Sequence, residues 1–161
     1  MNIFYLDYDP YVCAELHTDK HVRKMIVETA QMLSTAHRVL DRDILSDEMS
    51  NAIYKEAYKN HPCTVWIRES RQNYLYAFYL FDALLSEYEY RFGKVHASEY
   101  LREYLCHFPR QLKERGFTPP AQAMPDKYKM AFDPTLAYRL YYRHEKSHLF
   151  QWTKRQKPSW L

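Results

Sequence analysis

The sequence predicts an all-α fold: a single-domain helical bundle around a long, buried central helix. Only two glycines occur among 161 residues, which disfavours the tight turns of β-hairpins. Apolar residues recur at helical spacing along two long stretches. Asp9-Pro10 and Asp133-Pro134 combine a capping carboxylate with a proline, which is typical of a helix start. This length supports one hydrophobic core, so we predict one domain over residues 1–161, with a basic tail over residues 153–161.

The first elements follow from local signals. Residues 1–6 contain Ile-Phe-Tyr-Leu and predict a short, buried extended segment. A short helix is expected over residues 10–17 and a long two-faced helix over residues 18–40, whose apolar stripe should face the core. The charged stretch that follows predicts a loop with a weaker helix over residues 48–59.

The predicted central helix spans residues 64–92. It follows the break at Asn60-His61-Pro62 and ends at Gly93, a typical C-terminal cap. Its apolar residues lie nearly all round between Tyr74 and Leu85, which is typical of a helix buried on several sides. A shorter helix over 98–106, a proline-rich irregular segment over 108–133 and a last helix over 134–152 complete the fold.

Composition narrows the functional classes. Lys and Arg number 23 against 20 Asp and Glu, a balance that permits nucleic-acid binding without indicating it alone. The sixteen tyrosines suit a polar cleft or a stacking surface, or simply a tyrosine-rich core. Cys13, Cys63 and Cys106 are far apart and indicate neither disulfides nor a thiolate zinc site. With no leader or membrane-spanning run, we expect a soluble, cytoplasmic protein.

The strongest functional signal lies at the start of the long helix. Separations of three and four residues place His17, His21, Lys24, Glu28 and Gln31 on one side of a continuous helix. Such a set could supply acid and base or hold a phosphate. We therefore predict a catalytic group formed by Glu28, Lys24, His21 and Lys20, with His17 and Gln31 binding substrate. The alternative is a solvated face with a surface Lys24–Glu28 pair.

The same two histidines have the spacing of helical zinc ligands. Thr18 stands where the glutamate of the H-E-x-x-H motif would be, so a metal would need His61 or Glu28 as a further ligand. We predict no metal and no other cofactor.

Two further groups are candidate substrate-binding residues. A proline turn before a buried helix can present polar groups to a cleft, which favours Asn60, His61, Arg68 and Asn73; ordinary helix capping is the alternative. Gln122 lies in the proline-rich loop over residues 118–125 and could reach a ligand, or the loop could simply be rigid packing.

The basic tail is the last candidate. Lys154, Arg155, Lys157 and Trp160 could grip a DNA backbone and stack on a base. A solvated basic terminus anchored by Trp160 is the alternative.

Several motifs resemble a family of short proteins from phages and some bacteria. They are Met1-Asn2-Ile3-Phe4, Asp19-Lys20-His21-Val22, Ser34-Thr35-Ala36-His37, Asn60-His61-Pro62-Cys63, Arg68-Glu69-Ser70 and Gln122-Ala123-Met124-Pro125. Members are often labelled pyrimidine-dimer DNA glycosylases, so the resemblance, which covers nearly the whole chain, implies a role in DNA repair.

This chain differs from the characterised enzyme of that kind in one respect. The ending Lys157-Pro158-Ser159-Trp160 is similar to that of a characterised phage dimer glycosylase, whose nucleophile is the amine of an N-terminal threonine. This chain begins Met1-Asn2, and the bulky Asn2 should leave Met1 in place. We therefore expect a lysine or glutamate to replace that amine.

The leading interpretation is an enzyme that acts on DNA bases, a glycosylase with possible lyase activity on damaged or modified pyrimidines. Its expected partner is duplex DNA with an extruded base, since an aromatic, polar pocket and cations suit extrusion. Two alternatives are a non-catalytic phage module that binds nucleic acid or a host protein, and an enzyme acting on nucleotides or modified phage DNA bases.

Overall fold

The computed structural model describes residues 1–161 and confirms the all-α, single-domain fold, without any β-strand. The seven helices are α1 (Pro10–Leu16), α2 (Asp19–Leu40), α3 (Asp47–Ala52), α4 (Pro62–Ile67), α5 (Arg71–Phe92), α6 (Arg102–Leu105) and α7 (Pro134–Glu145). Three short 3-10 turns occupy Glu99–Leu101, Asp126–Tyr128 and Ser147–Leu149. No helix is long and apolar enough to cross a membrane.

Helix α5 is the predicted central helix, packed against α1, α2 and α4. Leu80, Phe81 and Leu84 along it are fully buried, as are Met25 and Leu33 on the apolar face of α2. Truncating such a leucine to alanine costs about 2–5 kcal/mol, because the cavity cannot fully collapse. The packing of α2 on α5 therefore fixes the polar edge of α2 relative to the rest of the molecule.

The prediction of one helix over residues 64–92 is wrong, because the chain breaks between α4 and α5. The Ser70 backbone is extended, with a φ of −152°, and the Ser70 side chain accepts a hydrogen bond from the Asn73 amide. An N-cap of this kind starts a new helix. Gly93 does end α5, in the left-handed conformation with a φ of 64°.

The other helix boundaries also need correction. The weaker helix predicted over residues 48–59 is only α3, and the chain that follows is irregular. Arg38 holds that irregular chain by donating to the carbonyls of Ser50, Ile53 and Tyr54 at 2.6–2.9 Å. These bonds satisfy carbonyls that a helix would otherwise have used.

The last two predicted helices are shorter than expected. The segment over residues 98–106 divides into a 3-10 turn and α6, and the last helix ends at Glu145 instead of continuing to residue 152. The predicted burial of the N-terminal segment is confirmed, since Ile3 and Leu6 are fully buried, but its backbone is not extended throughout, because Phe4 has a φ of 42°. This segment passes the polar edge of α2, where the candidate site lies.

Candidate active site at the N-terminus and Glu28

Glu28 lies on α2 with its carboxylate between two amines. Lys24 Nζ is 3.1 Å from Oε1, and the α-amino nitrogen of Met1 is 3.9 Å from Oε2. The Asn2 amide donates a 2.9 Å hydrogen bond to Oε2. The Glu28 side chain is only 12% exposed, whereas Lys24 is 57% exposed. One carboxylate with two neighbouring amines is an arrangement suited to acid–base or nucleophilic chemistry.

Met1 is anchored by its side chain. That side chain is 1% exposed, and Thr64 Oγ1 lies 3.4 Å from the Met1 sulfur. The residue as a whole is nevertheless partly exposed. Its exposed atoms therefore belong to the main chain, where the α-amino group is found.

His61 and Cys63 lie in the electrostatic neighbourhood of this amine. Partial burial lowers the pKa of His61, the Met1 amine lowers it further, and Glu28 acts in the opposite direction. His61 is therefore neutral at neutral pH, with its proton on Nε2, because Nδ1 accepts a hydrogen bond from the Cys63 amide. Burial raises the pKa of the Cys63 thiol to about 11, which agrees with a filler role and not with a nucleophile.

His21 lies on α2 as predicted, but its ring is buried. Its Nδ1 is 2.8 Å from the Tyr142 hydroxyl, and its ring stacks on Phe4 with centroids 4.5 Å apart. Burial, with smaller contributions from His17 and nearby lysines, lowers the pKa of His21 to about 3. The structure thus places a neutral imidazole beside the N-terminal segment.

His17 is not part of α2 and lies apart from the Glu28 cluster. It is the C-cap of α1, fully buried, with Nδ1 2.7 Å from the Cys13 carbonyl. Burial lowers the pKa of His17 to about 4. The predicted continuous face through position 17 is therefore wrong, because Thr18 caps α2 and the chain turns there.

Lys20 and Gln31 flank the cluster along α2. Lys20 is exposed, one turn before Lys24, and lines a groove of about 400 Å³ with Asp19, Arg23, Phe92, Gln151 and Thr153. Gln31 is half-buried, one turn beyond Glu28. The exposed edge of α2 therefore offers polar groups on both sides of the carboxylate.

Of the predicted proline-turn residues, only His61 is in the electrostatic neighbourhood of Met1 and Glu28. Asn60 is exposed, and His61 caps α4, with its Nδ1 accepting from the Cys63 amide at 3.2 Å. Arg68 donates to the carbonyl of Lys59 at 2.5 Å and so holds this turn.

Asn73 and Gln122 are engaged in backbone hydrogen bonds. Asn73 is fully buried; its Nδ2 donates to the Trp66 carbonyl, and its Oδ1 accepts from the Thr118 amide, both at 2.9 Å. Gln122 bonds both main-chain polar groups of Met130, at 2.6 and 2.8 Å. Both amides hold loops together, so a ligand would have to displace these bonds to reach them.

The tail is tied to the body of the protein by a buried ion cluster. Arg91 binds Asp19 at 2.9 Å and Glu87 at 2.5 Å, and Arg155 binds Glu87 at 2.8 Å. Thr153 donates to Asp19 through both its amide and its hydroxyl. Arg155 is therefore committed to an internal pair.

The other tail residues differ in exposure. Lys154 and Lys157 are exposed, and Lys154 donates to the Tyr90 carbonyl. Trp160 packs edge-on to Tyr142 and beneath Arg139, which fits the anchoring alternative better than a freely stacking ring.

No group of three or more His, Cys, Asp or Glu side chains is arranged to hold a metal ion. The rings of His17 and His21 are 6.4 Å apart, but each ring already contacts a different polar partner. The zinc alternative therefore gains no support from the geometry.

The main site residue that sequence reasoning missed is Met1. The characterised dimer glycosylase uses the amine of an N-terminal threonine, and because this chain begins Met1-Asn2 the sequence predicts a lysine or glutamate in that role. The Met1 amine nevertheless lies beside Glu28. One signal could have indicated this: a bulky second residue retains the methionine, and its apolar side chain can then be buried.

Comparison with known proteins gives one match. A family model described as pyrimidine dimer DNA glycosylase matches residues 1–98. No curated protein and no solved structure matches the chain significantly. The matched segment contains Met1, Lys24, Glu28 and His61, and ends before the proline-rich loop and α7.

Proposed function

The chain belongs to the pyrimidine dimer DNA glycosylase family, and on that premise we propose that it excises damaged pyrimidines from duplex DNA through an amine nucleophile. The observation that carries this proposal is the pair of amines on Glu28, one from Met1 and one from Lys24. Such an amine allows the base to be released and the abasic strand then to be cleaved. The enzyme would act in the cytoplasm of the cell that holds the DNA.

The Met1 amine is the better nucleophile of the two. A nucleophile attacks efficiently only when it is held in place beside the reacting atom. The buried Met1 side chain fixes this amine, whereas Lys24 is held only by a surface pair that is worth at most about 1 kcal/mol. We assign nucleophilic attack to Met1 and give Lys24 the role of a cation beside the DNA backbone.

The proposed covalent step is a displacement at C1′ of the damaged nucleotide. The uncharged amine forms a bond to C1′, and the bond from C1′ to the base breaks, with its electron pair leaving on the base. The base takes up a proton from water, and the substituted amine loses one to water. The bond from C1′ to the ring oxygen O4′ then breaks, the amine nitrogen forms a double bond to C1′, and O4′ takes up a proton from water, which leaves a protonated imine between Met1 and C1′.

Glu28 stabilises the positive charge that develops on the sugar during this displacement. Its carboxylate is mostly shielded from water, and a fixed charge acts more strongly where water is excluded. The Asn2 amide holds Oε2, which limits the reorganisation needed at the moment of reaction.

Binding of DNA would use the exposed cations around the cluster. Lys20 and Lys24 lie on the same edge of α2, and Lys157 is exposed on the tail. Extrusion of the base lets the buried carboxylate meet C1′, which a stacked duplex would not allow. We assign contacts with the extruded nucleotide to Asn60, which is exposed, and to Gln31, which is half-buried one turn beyond Glu28.

Borohydride trapping tests the proposal. The protein is incubated with duplex DNA containing a single pyrimidine dimer, with sodium borohydride present, and matched undamaged duplex serves as the control. We expect a stable protein–DNA adduct on the damaged duplex only, because borohydride reduces the imine. Binding of both duplexes without any adduct or base release would instead favour the non-catalytic binding alternative.

A further inference from the structure

Asn2 forms hydrogen bonds through its main-chain amide, its side-chain oxygen and its side-chain nitrogen. It is only 7% exposed. Its main-chain amide donates to Glu28, and its side-chain oxygen accepts from the amides of Ile3 at 2.7 Å and Phe4 at 3.0 Å. Its side-chain nitrogen donates to the Ala123 carbonyl at 2.8 Å. One residue thus joins the N-terminal segment to α2 through its main-chain amide and to the proline-rich loop through its side chain.

The backbone that follows Asn2 is strained. Phe4 has a φ of 42°, in the left-handed region that residues other than glycine rarely occupy. Such a conformation costs on the order of 1–3 kcal/mol and persists only where the surroundings determine it. The bond from the Phe4 amide to Asn2 and the stacking of Phe4 on His21 supply that support.

The loop that receives Asn2 is held in turn by α7. The Tyr138 hydroxyl donates to the Ala121 carbonyl at 2.6 Å and accepts from the Ala123 amide at 3.3 Å. Tyr138 is fully buried, whereas Ala121 and Ala123 are partly exposed, so the tyrosine side of both bonds is shielded from water. A continuous set of contacts therefore runs from Tyr138 through Ala123 and Asn2 to Glu28, and its outer half lies beyond the matched residues 1–98.

We infer that Asn2 is a positioning residue that holds the Met1 amine at Glu28, and that Tyr138 supports it through the Ala121–Ala123 backbone. The catalytic consequence rests on the proposed function. A carboxamide suits this position because it accepts two amide protons and donates one. Aspartate could not make the donation to Ala123, and leucine could make none of these side-chain bonds.

Two variants and one control test the inference. Asn2→Leu removes all side-chain hydrogen bonds while keeping a bulky second residue, so Met1 is retained; intact mass verifies this. Tyr138→Phe removes the outer support without touching Asn2 or the amine. Asn51→Leu changes an exposed asparagine on α3 and is the matched control.

The main readout is the rate of borohydride trapping on dimer-containing duplex, measured at saturating DNA. Misplacement of a reacting group by about 1 Å can cost a hundredfold in rate. We expect Asn2→Leu to lose at least tenfold and Tyr138→Phe several-fold, with KM within about twofold of wild type. A merely structural role would lower the melting temperature and leave the trapping rate of the folded fraction unchanged.

A second readout needs no DNA. The rate at which an acylating reagent modifies the Met1 amine, followed by mass spectrometry, should rise several-fold in Asn2→Leu and stay at the wild-type value in Asn51→Leu.

Wild-type trapping and labelling rates in folded Asn2→Leu would overturn the inference while leaving the proposed function intact. If Asn2→Leu does not fold, Tyr138→Phe decides in the same way. Absence of an adduct with the wild-type protein would instead overturn the proposed function, and the catalytic role of Asn2 with it.

Discussion

The α-amino nitrogen of Met1 lies 3.9 Å from Oε2 of Glu28, although the two residues are separated by the whole of α1 and the first turns of α2. The buried Met1 side chain fixes one end of this relationship, and the packing of α2 on α5 fixes the other. The proposed function depends on this pairing and on the fold that supports it.

Replacing Glu28 with glutamine should abolish most of the activity while preserving the fold. The substitution keeps the size of the side chain and removes the charge to which we assign stabilisation of the sugar. We expect a rate loss of about a hundredfold or more, with little change in melting temperature or DNA affinity, as is typical of positioned acid–base groups. Single-turnover base release measures the effect, and Glu89→Gln at an exposed site on α5 is the control. Full activity in Glu28→Gln would remove this residue from the mechanism.

Stability should fall as the pH drops from 6.5 towards 5. Burial lowers the pKa of His17 and His37 to about 4 and that of His21 to about 3. Between these values and the ordinary value near 6.5, the unfolded chain binds protons that the folded chain does not, so acidification favours unfolding. Each histidine that stays neutral in the fold contributes up to about 1.4 kcal/mol per pH unit.

Urea denaturation at several pH values measures this dependence. Above pH 5 the change in stability comes from the histidines. The carboxylates of Asp19 and Glu87, whose pKa values are lowered, add a loss of stability in the same direction only at lower pH. A free energy of unfolding that is flat from pH 7 to 5 would contradict the neutral, buried assignment.

The buried ion cluster should be important for stability. Arg91→Met leaves Glu87 and Asp19 without their central cation, and breaking a buried pair in this way costs about 3–5 kcal/mol. Thermal unfolding, with the exposed Arg143→Met on α7 as control, checks this. A loss no larger than that of the control would mean that water already screens the cluster.

Much of the fold could be predicted from sequence, because its signals are local. Asp9-Pro10, Asp133-Pro134 and Gly93 act as helix caps where the sequence places them. The break before α5 was missed because Ser70 interrupts an otherwise periodic stretch, and its capping bond to Asn73 cannot be distinguished from a polar position on one long helix.

The site was predictable only in part, for a similar reason. The Lys24–Glu28 pair follows from helical spacing, but the approach of Met1 depends on tertiary packing. His17 and His21 have a polar character in the sequence, yet Phe4 and Tyr142 cover them in the fold. Contacts between distant segments thus decide which polar residues reach the substrate.

The exposed lysines should contribute to DNA affinity through charge alone. We expect Lys20→Gln and Lys157→Gln each to weaken binding to damaged and to undamaged duplex about equally. Each variant should also reduce the slope of log affinity against log salt concentration by about one, the value for one lost phosphate contact. Arg155→Gln is the contrasting variant, since its charge is paired with Glu87; it should lower stability more than affinity. Salt titrations of affinity measure the effect, and unchanged slopes for both lysine variants would exclude these two residues from the DNA-binding surface.

The most direct test of the central claim is to locate the trapped adduct on the protein. Wild type and Lys24→Gln are trapped on dimer-containing duplex with borohydride, digested with nuclease and protease, and mapped by mass spectrometry. The account predicts that the sugar remnant lies on the Met1 amine in both proteins, and that a short N-terminal extension prevents its formation. An adduct on Lys24 in the wild type, lost in Lys24→Gln, would contradict the assignment of Met1 as the nucleophile.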